Sequence, residues 1–226
     1  MPSRLSPVVR NHLSALRMLL VFTALTGIIY PLAVTGVAQV AFPDQANGSR
    51  VKWHGKTVGS SLLGQNFTLP RKNPADPDER PGPDPAWFQP RPSAGGYDPL
   101  ASGASNLGPN NRKLVRTVER RRAAIAAFDG VEPDDVPVDA ITASGSGLDP
   151  HISPEYAYQQ VNRVARARRL KPATVRHLVT EHVRGRVLGF LGQERVNVVQ
   201  LNSALSGHPA TGAPPSGHHR RPHLPR

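Results

Sequence analysis

The densest chemistry in the chain is the run Thr142-Ala143-Ser144-Gly145-Ser146-Gly147-Leu148-Asp149-Pro150-His151. It sets hydroxyls, a carboxylate and an imidazole within a single loop-length stretch. Three readings of it stand side by side. Ser144 or Ser146 with Asp149 and His151 has the residue types of a serine hydrolase. However, triad members normally come from separated segments, so residues this close in sequence can hardly converge. Gly145-Ser146-Gly147 is also not a G-x-S-x-G nucleophile elbow. In the second reading, backbone N–H groups of a glycine loop before a helix start hold an anion. In the third the loop is structural or meets a partner: Asp149 and Ser153 hydrogen-bond local backbone, and the glycines allow positive φ. No residue is assigned a catalytic role.

Other chemistry is thinner. The sequence has no G-x-x-x-x-G-K-[ST] loop, and Pro150 stands where a Rossmann fingerprint starting at Gly145 needs its third glycine. His177 and His182 are not spaced for one helix face, and no metal site is read from them or from His218, His219 and His223. With no cysteine, disulfides and thiolate zinc sites are excluded. The formal charge of +12 suits anionic lipid, nucleic acid or an acidic protein surface. Arg163, Arg166, Arg168 and Arg169 are not interleaved with stacking aromatics, which argues against nucleic acid. Anionic headgroups or acidic partner surfaces suit them better, and most charge runs of this kind are solvated faces.

Several elements must position the loop. A helix is expected from Pro109-Asn110-Asn111 to Phe128, with Leu114, Val118 and Ile125 on one side and Arg116, Arg120 and Arg122 on the other. Val138–Thr142 is a short strand candidate running into the loop. Ser153-Pro154 supplies an N-cap and a first-turn proline for a helix that buries Ala157, Val161, Val164 and Ala165. Pro172 opens another helix, with Val175, Leu178, Val179 and Val183 as its apolar stripe. Val196–Leu201 reads as a strand. Strands mixed with amphipathic helices make an α+β fold, a small mixed α/β domain.

Ahead of this domain, Met18 to Phe42 carries no charged residue. As a helix at ~1.5 Å per residue, a run of this length exceeds a hydrocarbon core of ~30 Å. It is longer than a signal-peptide core and ends without an A-x-A-like cleavage site. Arg4, Arg10 and Arg17 precede it unopposed, which places the N-terminus in the cytoplasm and the rest outside. Thr23, Gly27, Pro31, Thr35 and Gln39 recur every four residues, a stripe suited to packing on another membrane helix. The organisation is thus residues 1–17 cytoplasmic, 18–42 transmembrane, 43–206 an extracytoplasmic domain with a flexible excursion at 71–85, and 207–226 a disordered basic tail.

Five blocks carry a resemblance: GSSLLGQNF (Gly59–Phe67), WFQPRPSA (Trp87–Ala94), ASNLGPNN (Ala104–Asn111), VDAITASGSGLDPHISPEYAYQQVNRVARAR (Val138–Arg168) and LGFLGQERVNVVQLNSAL (Leu188–Leu205). With the apolar span in place, the chain resembles the C subunit of the Kdp potassium-transporting ATPase, the KdpC family, over roughly residues 13–205. The resemblance implies three protein partners: a potassium-channel-like subunit, a P-type ATPase subunit and a small membrane subunit. Membrane lipid is a further contact. It also implies a non-catalytic role, stabilising the complex and acting as a catalytic chaperone that raises the ATP affinity of the hydrolysing subunit. No resident cofactor follows; ATP enters only through the partner ATPase subunit. In family terms Gln159 and Gln160 lie in the region invoked for nucleotide contact. The derived topology keeps the external domain away from cytoplasmic ATP, so such an effect would have to be a coupling energy passed through the span.

Overall fold

The computed structural model describes residues 6–208 except 74 and 77. The chain forms two units, one ending at Arg50 and one beginning at Val51. The N-terminal unit is a long helix, α1 (Pro7–Ala24), a π turn (Leu25–Ile29) and α2 (Tyr30–Ala41), followed by the short α3 (Pro43–Ala46). Ser6 caps its start, with the Val9 N–H donating to the Ser6 hydroxyl. The helix therefore begins well ahead of the uncharged stretch. It is long and apolar enough to cross a membrane. The π turn has a local cause. Pro31 has no N–H for the carbonyl one turn back and its ring crowds that carbonyl. The turn widens, and the Tyr30 N–H donates to Leu25 O, five residues back.

The C-terminal unit mixes helix and strand, as the patterning predicts. It begins with a hairpin of β1 (Arg50–Trp53) and β2 (Lys56–Ser60). A long connection with little regular structure then leads to α4 (Arg112–Asp129), a 3-10 turn (Pro133–Asp135) and α5 (Val138–Ile141). Next come β3 (His151–Ile152), α6 (Pro154–Gln159), α7 (Val161–Arg168), α8 (Pro172–His182), β4 (Val183–Arg184), β5 (Arg195–Asn197) and α9 (Val198–Ser206). The small sheet has order β3-β5-β4, antiparallel throughout, with Val196 facing both Ile152 and Val183. Ala157, Val161, Val164, Val175, Val179, Val196, Leu201 and Leu205 form its fully enclosed core, and Phe88 joins them from the long connection.

Several expected elements differ. The helix expected from Pro109 starts at Arg112, because Asn111 acts as its N-cap and accepts from the Lys113 N–H. Val138–Thr142 is a helical turn, not a strand. Pro137 precedes it, the Thr142 hydroxyl donates to Val138 O at 2.7 Å, and Asp139 accepts from the N–H and hydroxyl of Ser153 at 2.7 and 2.8 Å. The helix from Pro154 breaks at Gln160 into α6 and α7, although all four expected core residues are buried. Val183 has left α8 and pairs in the sheet. VNVVQL is strand only to Asn197, whose side chain then accepts from Gln200 N–H and starts α9. A local cap thus overrides the β-branched run. The Arg71–Pro85 excursion is closed at its base by the bridge Thr68–Pro83, and Glu79 accepts from the N–H groups of Lys72 and Asn73 at 2.9 and 2.8 Å. Of the tail, residues 209–226 with His218, His219 and His223 lie outside the described residues, as do residues 1–5 with Arg4.

Candidate functional site

The loop Ser144–His151 joins α5 to β3, and the segment Arg91–Gly103 folds over it. The Arg91 guanidinium donates to Asp149 Oδ2 at 3.1 Å and reaches Thr142 O at 3.4 Å. Ser144 N–H donates to Pro92 O, the Ser93 hydroxyl to Gly147 O at 2.7 Å, and Gly103 N–H to Ser146 O at 2.8 Å. From the other direction Gly64 N–H donates to Leu148 O at 2.7 Å. Tyr97 closes the arrangement: its hydroxyl donates to Arg91 O at 2.7 Å and its N–H to the Ser93 hydroxyl. Burial, with the charge of Asp149 nearby, pushes the Tyr97 phenol well up, so it stays a donor.

Within the loop, Asp149 is the centre. Its Oδ1 accepts from His151 N–H at 3.0 Å and lies 3.1 Å from His151 Nδ1. Burial pushes the Asp149 carboxyl up, but the hydrogen bonds from His151 and Arg91 together outweigh it and hold the group below the usual carboxylate range. Ser146 Oγ accepts from Leu148 N–H. Ser144 is buried, and its hydroxyl has no hydrogen-bond partner among the described residues. Neither serine is engaged by His151, whose ring turns to Asp149. The geometry therefore does not favour a hydrolase. Only Gly145 and Ser146 are exposed; Ser144 and Gly147 are buried, and Asp149 and His151 half-buried.

Gln159 and Gln160 sit elsewhere, at the break between α6 and α7. The Gln159 amide donates to Asp129 Oδ2 at 2.7 Å, and its own carbonyl oxygen is buried without a partner among the described residues. Gln160 is fully buried. Its Oε1 accepts from Gln89 N–H at 2.6 Å and from the Arg163 guanidinium at 2.6 Å, while its Nε2 donates to Gln89 O at 3.1 Å. The structure thus does not bring these glutamines together with the Ser144–His151 loop.

Arg163 corrects the reading of a solvated arginine face. It is buried, donates to Asp129 Oδ1 at 2.7 Å and to the carbonyls of Pro85 and Trp87, and lies over the Phe128 ring. Charge reversal there would test the fold, whereas Arg166 is exposed. Of the histidines weighed for metal, His177 lies 3.3 Å from Glu181, and His182 Nδ1 lies 2.8 Å from Leu178 O.

On the long helix, Thr23, Gly27, Pro31, Thr35 and Gln39 are all exposed. In a regular helix positions 23 and 39 would drift apart by about 160° around the axis; one extra residue in a π turn reduces this to about 60°. The turn forced by Pro31 therefore gathers the stripe onto one side.

Sequence patterning did not single out Arg91, Tyr97, Ser93 and Gly64 as supports of the loop. The signals were two of the quoted blocks, Gly59–Phe67, which holds Gly64, and Trp87–Ala94, which holds Arg91 and Ser93; Tyr97 lies in neither.

A family model described as K+-transporting ATPase, c chain (KdpC) matches residues 12–207. The chain belongs to the KdpC family. A potassium-transporting ATPase KdpC subunit of Kineococcus radiotolerans is 53% identical over 203 residues, covering 89% of this chain and 95% of its own. A KdpC subunit of Streptomyces coelicolor is 47% identical, covering 94% of this chain and 99% of its own. One from Mycobacterium tuberculosis is 48% identical, covering 87% and 97%. The KdpC assignment therefore covers both the apolar helix and the mixed domain.

Proposed function

We propose that this chain is a non-catalytic subunit of a potassium-transporting ATPase that stabilises the assembly from the outer side of the membrane. The reading rests on one combination: a KdpC chain whose most reactive-looking loop has its carboxylate and carbonyls engaged by neighbouring segments. Asp149 serves Arg91 and His151, and the loop carbonyls serve the segment that covers them. Such a loop holds a surface in shape. It does not present a nucleophile and its base.

In this reading the N-terminus is cytoplasmic and the C-terminal unit extracytoplasmic, following the unopposed arginines ahead of the span. ATP hydrolysis belongs to the P-type subunit, and the stripe from Thr23 to Gln39 contacts a membrane helix of a partner, either the channel-like or the small subunit. A chaperone-like effect on ATP affinity then acts at a distance, as a coupling free energy carried through the assembly. A reporter active only outside the cytoplasm, fused after residue 206, is expected to be active. A silent reporter, with a cytoplasmic one active in its place, would overturn the orientation and bring the C-terminal unit to the side where ATP is.

A further inference from the structure

Between β4 and β5 the chain projects as a short finger, Gly185–Glu194. Its tip carries Val187, Leu188, Phe190 and Leu191, exposed by 54%, 78%, 69% and 49%. No other five-residue stretch among the described residues of the C-terminal unit shows so much apolar surface to solvent. Exposed apolar residues scattered singly need no explanation, but a contiguous group marks a contact surface.

The finger is held in shape. Val187 and Leu191 exchange two backbone hydrogen bonds, both 2.9 Å, and Phe190 N–H also reaches Val187 O at 3.3 Å. Leu188 has φ 53° and Gly189 φ 81°, both left-handed. For leucine that region is sterically unfavourable, and here no burial of the Leu188 side chain offsets it. The Val183–Val196 and Arg184–Arg195 pairs of the sheet clamp the base. A rigid tip loses little freedom on docking, which favours affinity.

Charge around the tip selects the occupant. An open cleft of about 800 Å3 lies beside the finger, lined by Ser153, Glu155, Arg186, Gly189, Gln193 and Glu194 among others. Glu155, Arg184, Arg186 and Glu194 are exposed and make no ion pair among the described residues. An anionic lipid surface would meet two carboxylates here. It would be better served by the groove on α4 lined by Arg112, Lys113, Arg116 and Arg120, where Glu119 is the one carboxylate among the described lining residues. Apolar anchors inside a rim of both charge signs match a protein surface.

We infer that the 185–194 finger docks into an apolar depression, rimmed by both charge signs, on another subunit of the same ATPase. Leu188 and Phe190 are the anchors, and the rim charges fix the orientation. This inference rests on the subunit reading above and adds the surface that performs it.

The test uses the full chain, tagged and expressed with the remaining ATPase subunits. Replacing Leu188 and Phe190 together by serine should lower its recovery with the complex about tenfold or more, as for an interface hot spot. Leu100→Ser, at a position 95% exposed, should leave recovery unchanged. Because the chain has no cysteine, Phe190→Cys can carry a benzophenone maleimide as a single photocrosslinker, and the adduct should fall on another ATPase subunit. Should the double variant melt early, this crosslink decides. If the unaltered chain does not purify with the ATPase, the subunit reading fails and the finger proposal falls with it. If the unaltered chain copurifies but the double variant does so equally well, only the finger proposal fails. Adducts confined to lipid, or to a second copy of this chain, likewise overturn the finger alone.

Discussion

Asn202 and Phe88 exchange two hydrogen bonds: Phe88 N–H donates to Asn202 Oδ1 at 3.0 Å, and Asn202 Nδ2 donates to Phe88 O at 2.9 Å. The next residue, Gln89, makes the same exchange with Gln160. Two side-chain amides from different helices thus do for Phe88-Gln89 what neighbouring strands do in a sheet. Phe88 can be fully buried in an irregular segment because its backbone groups are satisfied this way. Replacing Asn202 by leucine should leave both Phe88 groups unpaired and cost about 2–5 kcal/mol. Denaturant unfolding of the purified chain measures it, and a cost below ~1 kcal/mol would refute the role assigned to the pair.

Arg163 and Asp129 form a buried pair with side chains 6% and 1% exposed. Removing either partner strands a charge in the interior and should cost about 3–5 kcal/mol. Replacing both by apolar residues should cost less than the sum of the two single losses, although Gln159 and the Pro85 and Trp87 carbonyls then lose their partners. A double-mutant cycle with Arg163→Met and Asp129→Leu checks this. Additive losses would mean that the two do not act as a pair.

Asp149 gives the C-terminal unit an acid sensitivity. Its carboxyl is held below the ordinary value of ~3.9 because the hydrogen bonds from His151 and Arg91 outweigh burial. A depressed carboxyl contributes stability that is complete above the unfolded value and is lost as pH falls through the folded one. Melting temperature should therefore fall below about pH 4, and Asp149→Asn should flatten that decline while lowering stability near neutrality. An unchanged slope in the variant would show that other carboxylates govern acid unfolding.

Gly147 and Gly145 should respond differently to alanine. Gly147 has φ 69°, and an added Cβ would lie 2.7 Å from Gly103 O. Gly145 has open space around it. Gly147→Ala should cost about 1–2 kcal/mol or more, whereas Gly145→Ala should be neutral or slightly stabilising. Equal melting temperatures for the two variants would refute the covering role of the Arg91–Gly103 segment.

On the long helix, a Cβ at Gly27 meets nothing within 4 Å. Gly27→Leu should leave the helicity of the isolated chain intact yet reduce its recovery with the ATPase subunits, since small residues allow close helix approach. Undiminished recovery would remove Gly27 from the interface.

Much of the molecule was legible before its tertiary structure. The uncharged stretch announces a long apolar helix because length and lack of charge are local properties. Ser153-Pro154 announces α6 because a cap and a first-turn proline act within one turn. Ala157, Val161, Val164 and Ala165 announce a buried face because helical period is also local, and the buried positions hold even where the helix breaks at Gln160. The five blocks quoted from the sequence likewise carry the family.

Other features were decided only by contacts between distant residues. Whether Val196–Leu201 continues as strand depends on Asn197 turning its side chain back as a cap, a choice between two locally acceptable outcomes. Arg163 looks like one arginine among several until Asp129, 34 residues away, supplies its partner. Gln160 and Asn202 acquire their roles only when Gln89 and Phe88 arrive, 71 and 114 residues distant. Residue types and periodicities determined this chain's apolar helix, its buried helix faces and its family. Which polar groups are buried, and against what, was left to tertiary structure, because a hydrogen bond across such a distance in sequence leaves no periodic trace in it.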